Sequence, residues 1–219
     1  MGIRIKEGGV LTTVQDSGRV GFQSIGISVT GATDLRAYEL GNLLVGNETG
    51  EAGLETTMAG LSLEFLEANT IAITGGDMKP KLNEKPVAMY RAIEVKKGDV
   101  LAFTGMRSGF RSYIAFAGGL DVPLIYGSRS THLRCQFGGK EGRRLQAGDE
   151  IGFLSPKSTL PGMSMRFVNQ EQYPQDAVLR VVMGPQDDYF SEEGIRTFLS
   201  EEYTTTRQMD RLGARLSGP

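Results

Sequence analysis

Short runs of apolar and polar residues alternate along the first two-thirds of the chain in a way that is typical of β-strands. Residues 61–65 alternate with a period of two, and residues 70–74 and 113–117 are strand-length runs rich in β-branched or aromatic side chains. Residues 1–6 also alternate apolar with charged side chains. Because turn residues separate these runs, we expect sheet to dominate as far as about residue 154.

Two segments instead have the features of short helices. The first begins at Asp34, a residue type that caps helices, and ends at Gly46 and Asn47, with the Asn47 amide as a C-cap. Its apolar face consists of Ala37, Leu40 and Leu44. The second begins at Ser191, whose hydroxyl can cap the acidic first turn. The pattern therefore predicts a mainly β fold with few short helices.

A short internal repeat supports a barrel of strands. Residues 97–103 and 147–153 both run from a Gly-Asp turn into an apolar strand that ends in Phe. The repeat is too short to indicate a duplicated lobe, but it predicts two similar units of turn and strand.

The composition changes after the last of these strands. Residues 156–176 are rich in Pro, Ser, Gln and Asn, so we interpret them as a linker between a first lobe, residues 1–155, and the start of a second lobe, residues 177–219. Residues 178–183 have the pattern of a strand that precedes the second helix. One strand and one helix cannot bury their own apolar faces. We therefore expect the second lobe to be incomplete and to pack on the first lobe, on a partner or on absent sequence.

The composition as a whole favours a protein that binds small molecules or other proteins. A net charge of −2 without a dense Lys/Arg block argues against a nucleic-acid partner, and the 30 glycines indicate many tight turns. The apolar runs are far shorter than the roughly 20 residues that cross a bilayer. The N-terminus lacks the apolar centre of a signal peptide. We therefore expect a cytoplasmic protein with no membrane partner.

The single cysteine, Cys135, has only His132 near it in the sequence. Two such residues are too few for a zinc site, so we expect no metal. A thiol nucleophile with an imidazole base is one interpretation of the pair. A packed small residue is the interpretation that we favour for Cys135.

Two polar runs, residues 11–19 and 127–131, carry the candidate chemistry. Each places an arginine beside glycine and beside side chains that form hydrogen bonds. A guanidinium can hold a carboxylate with two parallel bonds, so we expect Arg19 and Arg129 to converge on one small anion. Further donors around that anion would come from Ser128, Ser130 and Thr131. The alternative for Arg19 is an ion pair with Asp16 across a tight turn.

Other polar and glycine positions each have two interpretations. Asp34 is a general base or the cap of its helix, and Asp77 points into a pocket or only closes a turn. Asn42 is a site amide or a residue that bonds to loops. Gly118 and Gly119 offer backbone N–H groups as an oxyanion hole, or mark a bend.

Seven motifs occur in a fixed order from Gly9 to the end of the chain. They are Thr12-Thr13-Val14-Gln15-Asp16-Ser17-Gly18-Arg19, Gly31-Ala32-Thr33-Asp34, Asn42-Leu43-Leu44-Val45-Gly46-Asn47, Ala117-Gly118-Gly119-Leu120-Asp121-Val122-Pro123, Gly127-Ser128-Arg129-Ser130-Thr131, Gly184-Pro185-Gln186-Asp187-Asp188 and Asp210-Arg211-Leu212-Gly213. Together they resemble the biotin-dependent carboxyltransferase, allophanate hydrolase subunit 2 family. Bacterial members of that family are mostly named as the C subunit of 5-oxoprolinase.

The resemblance implies a cyclophilin-like β-barrel, usually as two related lobes, in an enzyme subunit. Together with a smaller B subunit and with the A subunit, such a protein opens 5-oxoproline to glutamate at the expense of ATP. We therefore expect a hydrolase subunit in a hetero-oligomer, a small amide or carboxylate substrate, and ATP in the complex.

The resemblance also implies two alternatives. In fused enzymes the module is similar to the carboxyltransferase part of urea carboxylase, and biotin would be the cofactor only there. A related pair of proteins acts on a sporulation kinase, and in it the relative of this chain antagonises the kinase inhibitor without catalysis.

The candidate site combines these motifs with the residue chemistry above. The expected catalytic residues are Asp16, Arg19, Asp34 and Asp77. The expected substrate-binding residues are Gln15, Asn42, Gly118, Gly119, Ser128, Arg129, Ser130 and Thr131. The chain departs from the family at His132, where an acidic residue is common. Family members also continue well beyond the Asp-Arg-x-Gly motif, which again implies an incomplete second lobe here.

Overall fold

A computed structural model of the chain describes residues 1–174, 176, 178, 180–209 and 213–219. The chain forms two compact units, Met1–Pro174 and Gln175–Pro219. The strands of the first unit are β1 (Gly2–Gly8), β2 (Leu11–Gln15), β3 (Gly53–Thr57), β4 (Leu61–Phe65), β5 (Asn69–Asp77), β6 (Pro80–Leu82), β7 (Lys85–Pro86), β8 (Ala92–Val95), β9 (Val100–Phe103), β10 (Ser108–Phe116), β11 (Leu120–Asp121) and β12 (Glu150–Phe153). Its helix is α1 (Leu35–Leu44), with 3-10 turns at Gln23–Ile25 and Met163–Met165.

The strands of the first unit form two antiparallel sheets. One has the order β11-β12-β1-β4-β9-β6-β7 and the other the order β2-β3-β10-β5-β8. One apolar core contains side chains from both sheets, among them Ile3, Leu63, Phe65, Ile71, Ile114 and Phe116. Residues of β4 alternate between buried and half-buried, as the period of two predicts. The prediction of a mainly β fold with few short helices is confirmed.

Helix α1 begins where the sequence predicts. The Asp34 carboxylate accepts the Ala37 N–H at 3.0 Å, and Gly46 has the left-handed φ of +69° just after the helix. The buried face is partly different from the predicted one. Ala37 and Leu44 are buried but Leu40 is half-buried, and the other buried positions of the helix are Tyr38, Gly41 and Asn42.

The Asn47 side chain has a different role from the predicted C-cap. Its Nδ2 donates to Asn42 Oδ1 and to the Phe116 carbonyl, both at 2.8 Å, and its Oδ1 accepts the Gly118 N–H at 2.7 Å. The amide therefore joins the end of α1 to the turn after β10. An amide is suited to this task because it donates and accepts at once.

The internal repeat produces two equivalent turns. Asp99 Oδ2 accepts the Lys96 N–H at 2.7 Å, and Asp149 Oδ2 accepts the Gln146 N–H at 2.8 Å. Each turn leads into a strand, β9 or β12, whose last residue is a buried Phe. The aspartates are therefore turn residues that bond to the backbone three positions earlier.

Residues 156–174, which the sequence suggests as a linker, lie on the first unit. Leu160 is buried there, and the Arg166 guanidinium donates to the Leu44 carbonyl at 3.2 Å at the end of α1. The division into residues 1–155, 156–176 and 177–219 stays a prediction.

The second unit contains helix α2 (Glu192–Ser200), strands β13 (Thr204–Met209) and β14 (Ala214–Ser217), and a 3-10 turn at Asp187–Tyr189. Ser191 caps α2 as predicted, since its hydroxyl accepts the Gly194 N–H at 3.1 Å. The predicted strand at 178–183 is wrong for its described residues, 178 and 180–183. A strand needs a hydrogen-bonded neighbour, and the described strands of this unit, β13 and β14, pair with each other. Residues 210–212 of the last motif lie outside the described residues.

No helix among the residues that the structure describes is long and apolar enough to span a bilayer.

Replacing Asn47 with Ala tests the role of its amide. The Gly118 N–H would lose its partner and the Phe116 carbonyl would lose one of its two donors, so we expect the free energy of unfolding to fall by about 2 kcal/mol. The measurement is urea unfolding followed by circular dichroism. Exposed Gln170 is the control position, where Ala should leave stability unchanged. Equal stability of Asn47→Ala and wild type would contradict the bridging role.

Candidate functional site

The Asp16 carboxylate connects the two polar runs that the sequence singled out. Asp16 follows β2, and its Oδ1 accepts the Gly18 N–H at 2.8 Å and the Ser128 hydroxyl at 2.7 Å. Its Oδ2 accepts the backbone N–H of Arg129. The runs at 11–19 and 127–131 therefore do meet, and a buried carboxylate with three donors holds them together.

The Arg19 guanidinium is completely buried beside this carboxylate. Its Nε donates to the Ile125 carbonyl at 3.1 Å, and its Nη1 donates to the hydroxyls of Thr30 and Ser130 at 2.7 and 2.8 Å. Its Nη2 donates to the Ser130 carbonyl. Burial lowers the pKa of Arg19, an effect that the negative charge of Asp16 opposes. The guanidinium therefore ties three chain segments together from the inside.

This placement differs from both interpretations of Arg19. Among the described residues no ion pair joins Arg19 to Asp16, whose oxygens accept from other donors. Arg129 is half-buried, and its Nε has no hydrogen-bond partner in the described part of the chain. The two arginine loops adjoin, but the Arg19 guanidinium has no exposed surface with which to hold an anion.

Gln15 and Thr131 are also internal. Both the backbone N–H and the hydroxyl of Thr131 donate to the Val14 carbonyl, at 2.9 and 3.0 Å. The Gln15 amide is fully buried and donates to the Thr13 hydroxyl at 2.9 Å. Gln15 Nε2 also lies 3.5 Å from the Thr131 carbonyl, so these two predicted substrate-binding residues fasten the 127–131 loop to β2.

A cleft of about 490 Å³ lies over this polar network. Its lining comprises Asp121, Val122, Pro123, Ile125, Gln136, Phe137, Gly138, Gly139, Lys140, Glu141, Gly142, Glu150, Ile151 and Gly152. The Phe137 ring connects cleft and network, because its centroid lies 4.8 Å from the Arg19 guanidinium carbon. Gly138 has a φ of +73°, and a Cβ there would collide with the Ser130 carbonyl and the Arg19 guanidinium. The sequence prediction missed residues 136–142, although their three glycines were a usable signal.

His132 supports the segment that leads to Phe137. Its Nδ1 accepts the Cys135 backbone N–H at 3.2 Å, so the proton lies on Nε2, which is 2.9 Å from the Ser28 hydroxyl. The ring centroid lies 5.1 Å from that of Phe137. The pairing of thiol and imidazole is wrong, because His132 contacts the backbone of Cys135. Cys135 is exposed, which also corrects its interpretation as a packed residue.

A second polar cluster surrounds Asp34. Besides capping α1, Asp34 accepts the Tyr173 hydroxyl at 2.7 Å through Oδ2, and its backbone N–H donates to the Tyr113 hydroxyl at 2.8 Å. Tyr113 in turn donates to buried Glu55 at 2.9 Å, and Arg111 Nε lies 3.2 Å from the other Glu55 oxygen. The bond from the Ala37 N–H to its carboxylate confirms that Asp34 caps α1. The sequence prediction missed Glu55 and Tyr173.

Asp77 and Asn42 bond to protein groups. Asp77 forms an ion pair with Arg107 at 2.8 Å and accepts the Lys79 N–H at 2.8 Å, as a turn residue does. Asn42 Nδ2 donates to the Glu51 carbonyl at 2.9 Å.

The Gly118-Gly119 turn offers no paired donors to an oxyanion. The Gly118 N–H donates to Asn47 Oδ1 at 2.7 Å and the Gly119 N–H to the Phe116 carbonyl at 2.9 Å. Both glycines have positive φ, +82° and +72°, which is the geometry of a bend. Among the described side chains, no group of three His, Cys, Asp or Glu could hold a metal ion.

Comparisons with known proteins agree with one another. Residues 25–219 match the family described as carboxyltransferase domain, subdomain A and B. The chain is 36% identical to the C subunit of 5-oxoprolinase from Escherichia coli (strain K12), over 99% of this chain and 68% of that protein. It is 35% identical to the urea amidolyase of Lachancea kluyveri, over 96% of this chain and 12% of that protein. A crystal structure of the Kluyveromyces lactis urea carboxylase aligns with a TM-score of 0.83 at 32% identity, covering 100% of this chain and 20% of that chain.

The single histidine of the chain makes its protonation easy to test. Burial lowers the pKa of His132, and the positive charges of Arg19 and Arg134 lower it further. The unfolded state, with a His pKa of about 6.5, then binds more protons than the folded state, so the free energy of unfolding should fall as pH decreases below that value.

Urea unfolding at several pH values between 5 and 8 measures this effect. In His132→Asn, the amide oxygen can still accept the Cys135 N–H but does not titrate, so the loss of stability toward low pH should be smaller. The same pH slope in both proteins would contradict a neutral His132.

Proposed function

We propose that this chain, which belongs to the family of carboxyltransferase domains, subdomain A and B, is one component of a cytoplasmic 5-oxoprolinase. With the A and B subunits it would hydrolyse 5-oxoproline to glutamate at the expense of ATP. The supporting observation is the 36% identity to the C subunit of a 5-oxoprolinase over nearly the whole chain and two-thirds of that relative. In the overall reaction two waters are consumed: one adds across the lactam C–N bond, so that its oxygen enters the new carboxylate and the nitrogen becomes the amino group, and the other is taken up as ATP is converted to ADP and phosphate.

The cleft over the Arg19 network is the proposed substrate site. Its volume lies within the range of about 300–1,000 Å³ that is usual for small-ligand pockets. The Phe137 ring and Val122 offer apolar walls to the substrate ring. Lys140 is the basic residue of the lining and pairs with Glu141 at 3.6 Å; it would exchange this partner for the substrate carboxylate.

Asp121 is the proposed base of this site. The other acidic lining residues have cationic partners, since Glu150 pairs with Arg4 at 2.8 Å and Glu141 with Arg143 at 3.1 Å. No ion pair involves Asp121 among the described residues, so its carboxylate is available to accept a proton from water. Arg143 also holds Asp149 with two bonds of 2.7 and 2.8 Å, which fixes the wall of the cleft.

Reconstitution tests the function directly. The purified chain is mixed with the A and B subunits, ATP and 5-oxoproline, and glutamate release is measured. We expect turnover that requires all three proteins and ATP. An absence of turnover with all three present would contradict the proposal.

The variant Lys140→Ala tests the location of the site. Loss of one charge-assisted hydrogen bond should raise the KM for 5-oxoproline about tenfold in the reconstituted enzyme, with a smaller change in kcat. Lys97→Ala, at an exposed position outside the cleft, is the matched control. A KM unchanged in Lys140→Ala would place the substrate elsewhere.

A carboxyltransferase acting in a urea or allophanate pathway is the second candidate. The 35% identity to a urea amidolyase favours it. This function requires a biotinylated carrier protein, which would be supplied separately. Transfer of labelled carboxylate from carboxybiotin to urea, without glutamate release from 5-oxoproline, would select this candidate over the first.

A further inference from the structure

The last residues of the first unit lie across the start of α1 as a strap, which we define as residues 170–174. Two of its side chains are half-buried and anchored, and the alternate residues Gln170, Gln172 and Pro174 are exposed. Glu171 pairs with Arg36, and the Tyr173 hydroxyl donates to Asp34 Oδ2 at 2.7 Å. The strap therefore contacts the protein through alternate side chains.

The Tyr173 ring occupies a slot with a backbone floor. A Cβ added at Gly109 would lie 3.2 Å from this ring, so the absence of a side chain at Gly109 leaves room for the ring. Burial raises the pKa of Tyr173, and hydrogen bonding to Asp34 and Tyr90 adds to that rise, so the hydroxyl remains a protonated donor. A planar ring with a donor thus fits the slot.

The walls of the slot are fixed without the strap. Tyr90 is fully buried with a left-handed φ of +57°, and its hydroxyl lies 3.0 Å from the Gly75 nitrogen. Tyrosine adopts this conformation only where its surroundings impose it. Asp34 is held by its bond to the Ala37 N–H and by the bond of its own N–H to Tyr113. Both walls therefore have partners outside the strap, and we expect them to keep their positions when Tyr173 leaves.

The strap itself is weakly held. No backbone N–H or C=O of residues 169–174 forms a hydrogen bond to another described residue. The ion pair between Glu171 and Arg36 involves an arginine that is 81% exposed, and such pairs contribute little because water screens them. The Tyr173 side chain therefore provides most of the attachment, and its departure leaves Asp34 Oδ2 without a donor.

We propose that Tyr173 is a removable plug in a binding slot, and that the slot accepts a small planar ring carrying an O–H or N–H donor. The ligand ring would lie on Gly109, and its donor would bond to Asp34 Oδ2 in place of the Tyr173 hydroxyl. Opening of the strap would then control access to this carboxylate. The slot is separate from the cleft proposed for 5-oxoproline, so either proposal can fail alone.

Phenol is the probe, and toluene, which lacks the donor, is the matched control ligand. Binding to the full chain is measured by ligand-observed NMR and calorimetry. Because the plug competes for the slot, the apparent affinity of wild type is reduced by the fraction of time that the slot is open. We expect Tyr173→Ala to bind phenol about tenfold more tightly than wild type does, and to bind toluene much more weakly than phenol.

Two further variants separate the slot from a simple cavity. Tyr173→Phe keeps the ring but loses the bond to Asp34, so its phenol affinity should lie between those of wild type and Tyr173→Ala. If the Ala variant folds poorly, the Phe variant should still bind phenol more tightly than wild type does. Asp34→Ser keeps a helix cap but lacks the second oxygen, so in the Tyr173→Ala background it should remove the preference for phenol over toluene. Equal phenol binding by wild type, Tyr173→Phe and Tyr173→Ala, or equal binding of the two ligands by Tyr173→Ala, would overturn the proposal.

Discussion

The buried Arg19 guanidinium is the interaction on which the loops of the first unit depend. It donates to the carbonyls of Ile125 and Ser130 and to the hydroxyls of Thr30 and Ser130. A charge without exposed surface is tolerated only when hydrogen bonds replace its water, so these acceptors have to stay in place. The 125–131 loop, which contains no helix or strand, is therefore held in place by its bonds to the buried guanidinium.

The position of the cleft follows from this fixed loop. The Phe137 ring stacks on the guanidinium, and Gly138 approaches it too closely for any side chain. Asp16 and Thr131 fasten the same loop to β2, through Ser128 and the Val14 carbonyl. The residues that were predicted from the sequence to bind an anion thus lie beneath the cleft and hold its loop in place. Other residues line the cleft.

Local features of the fold could be predicted from the sequence because they depend on neighbours in the chain. The alternation in β4 and the caps Asp34 and Ser191 are such features. The prediction of a strand at 178–183 failed because the apolar residues of this segment carry no information on whether a partner strand exists. Asn47 was misassigned for a related reason, since its partner Phe116 lies in a distant strand.

The candidate site was harder to predict because residue type does not reveal the partner. Arginine beside hydroxyl groups has the same appearance in a sequence whether it binds a ligand or the protein's own carbonyls. For Arg19, only the packing of β2 against the 125–131 loop shows that the guanidinium binds the protein's own carbonyls. Glu55 and Tyr173 became visible only through contacts over 58 and 139 positions of sequence.

Amide hydrogen exchange in the variant Arg19→Lys shows whether the buried guanidinium holds the 125–131 loop. Lysine keeps the charge but lacks the planar fork of donors that reaches Thr30 and two positions of the 125–131 loop. We expect faster exchange at the amides of Thr131 and Gly139, which donate to the carbonyls of Val14 and Arg129, and unchanged exchange at the Tyr90 amide, which donates to the Ile73 carbonyl. Unchanged protection of Thr131 and Gly139 in the variant would show that Arg19 does not hold the loop.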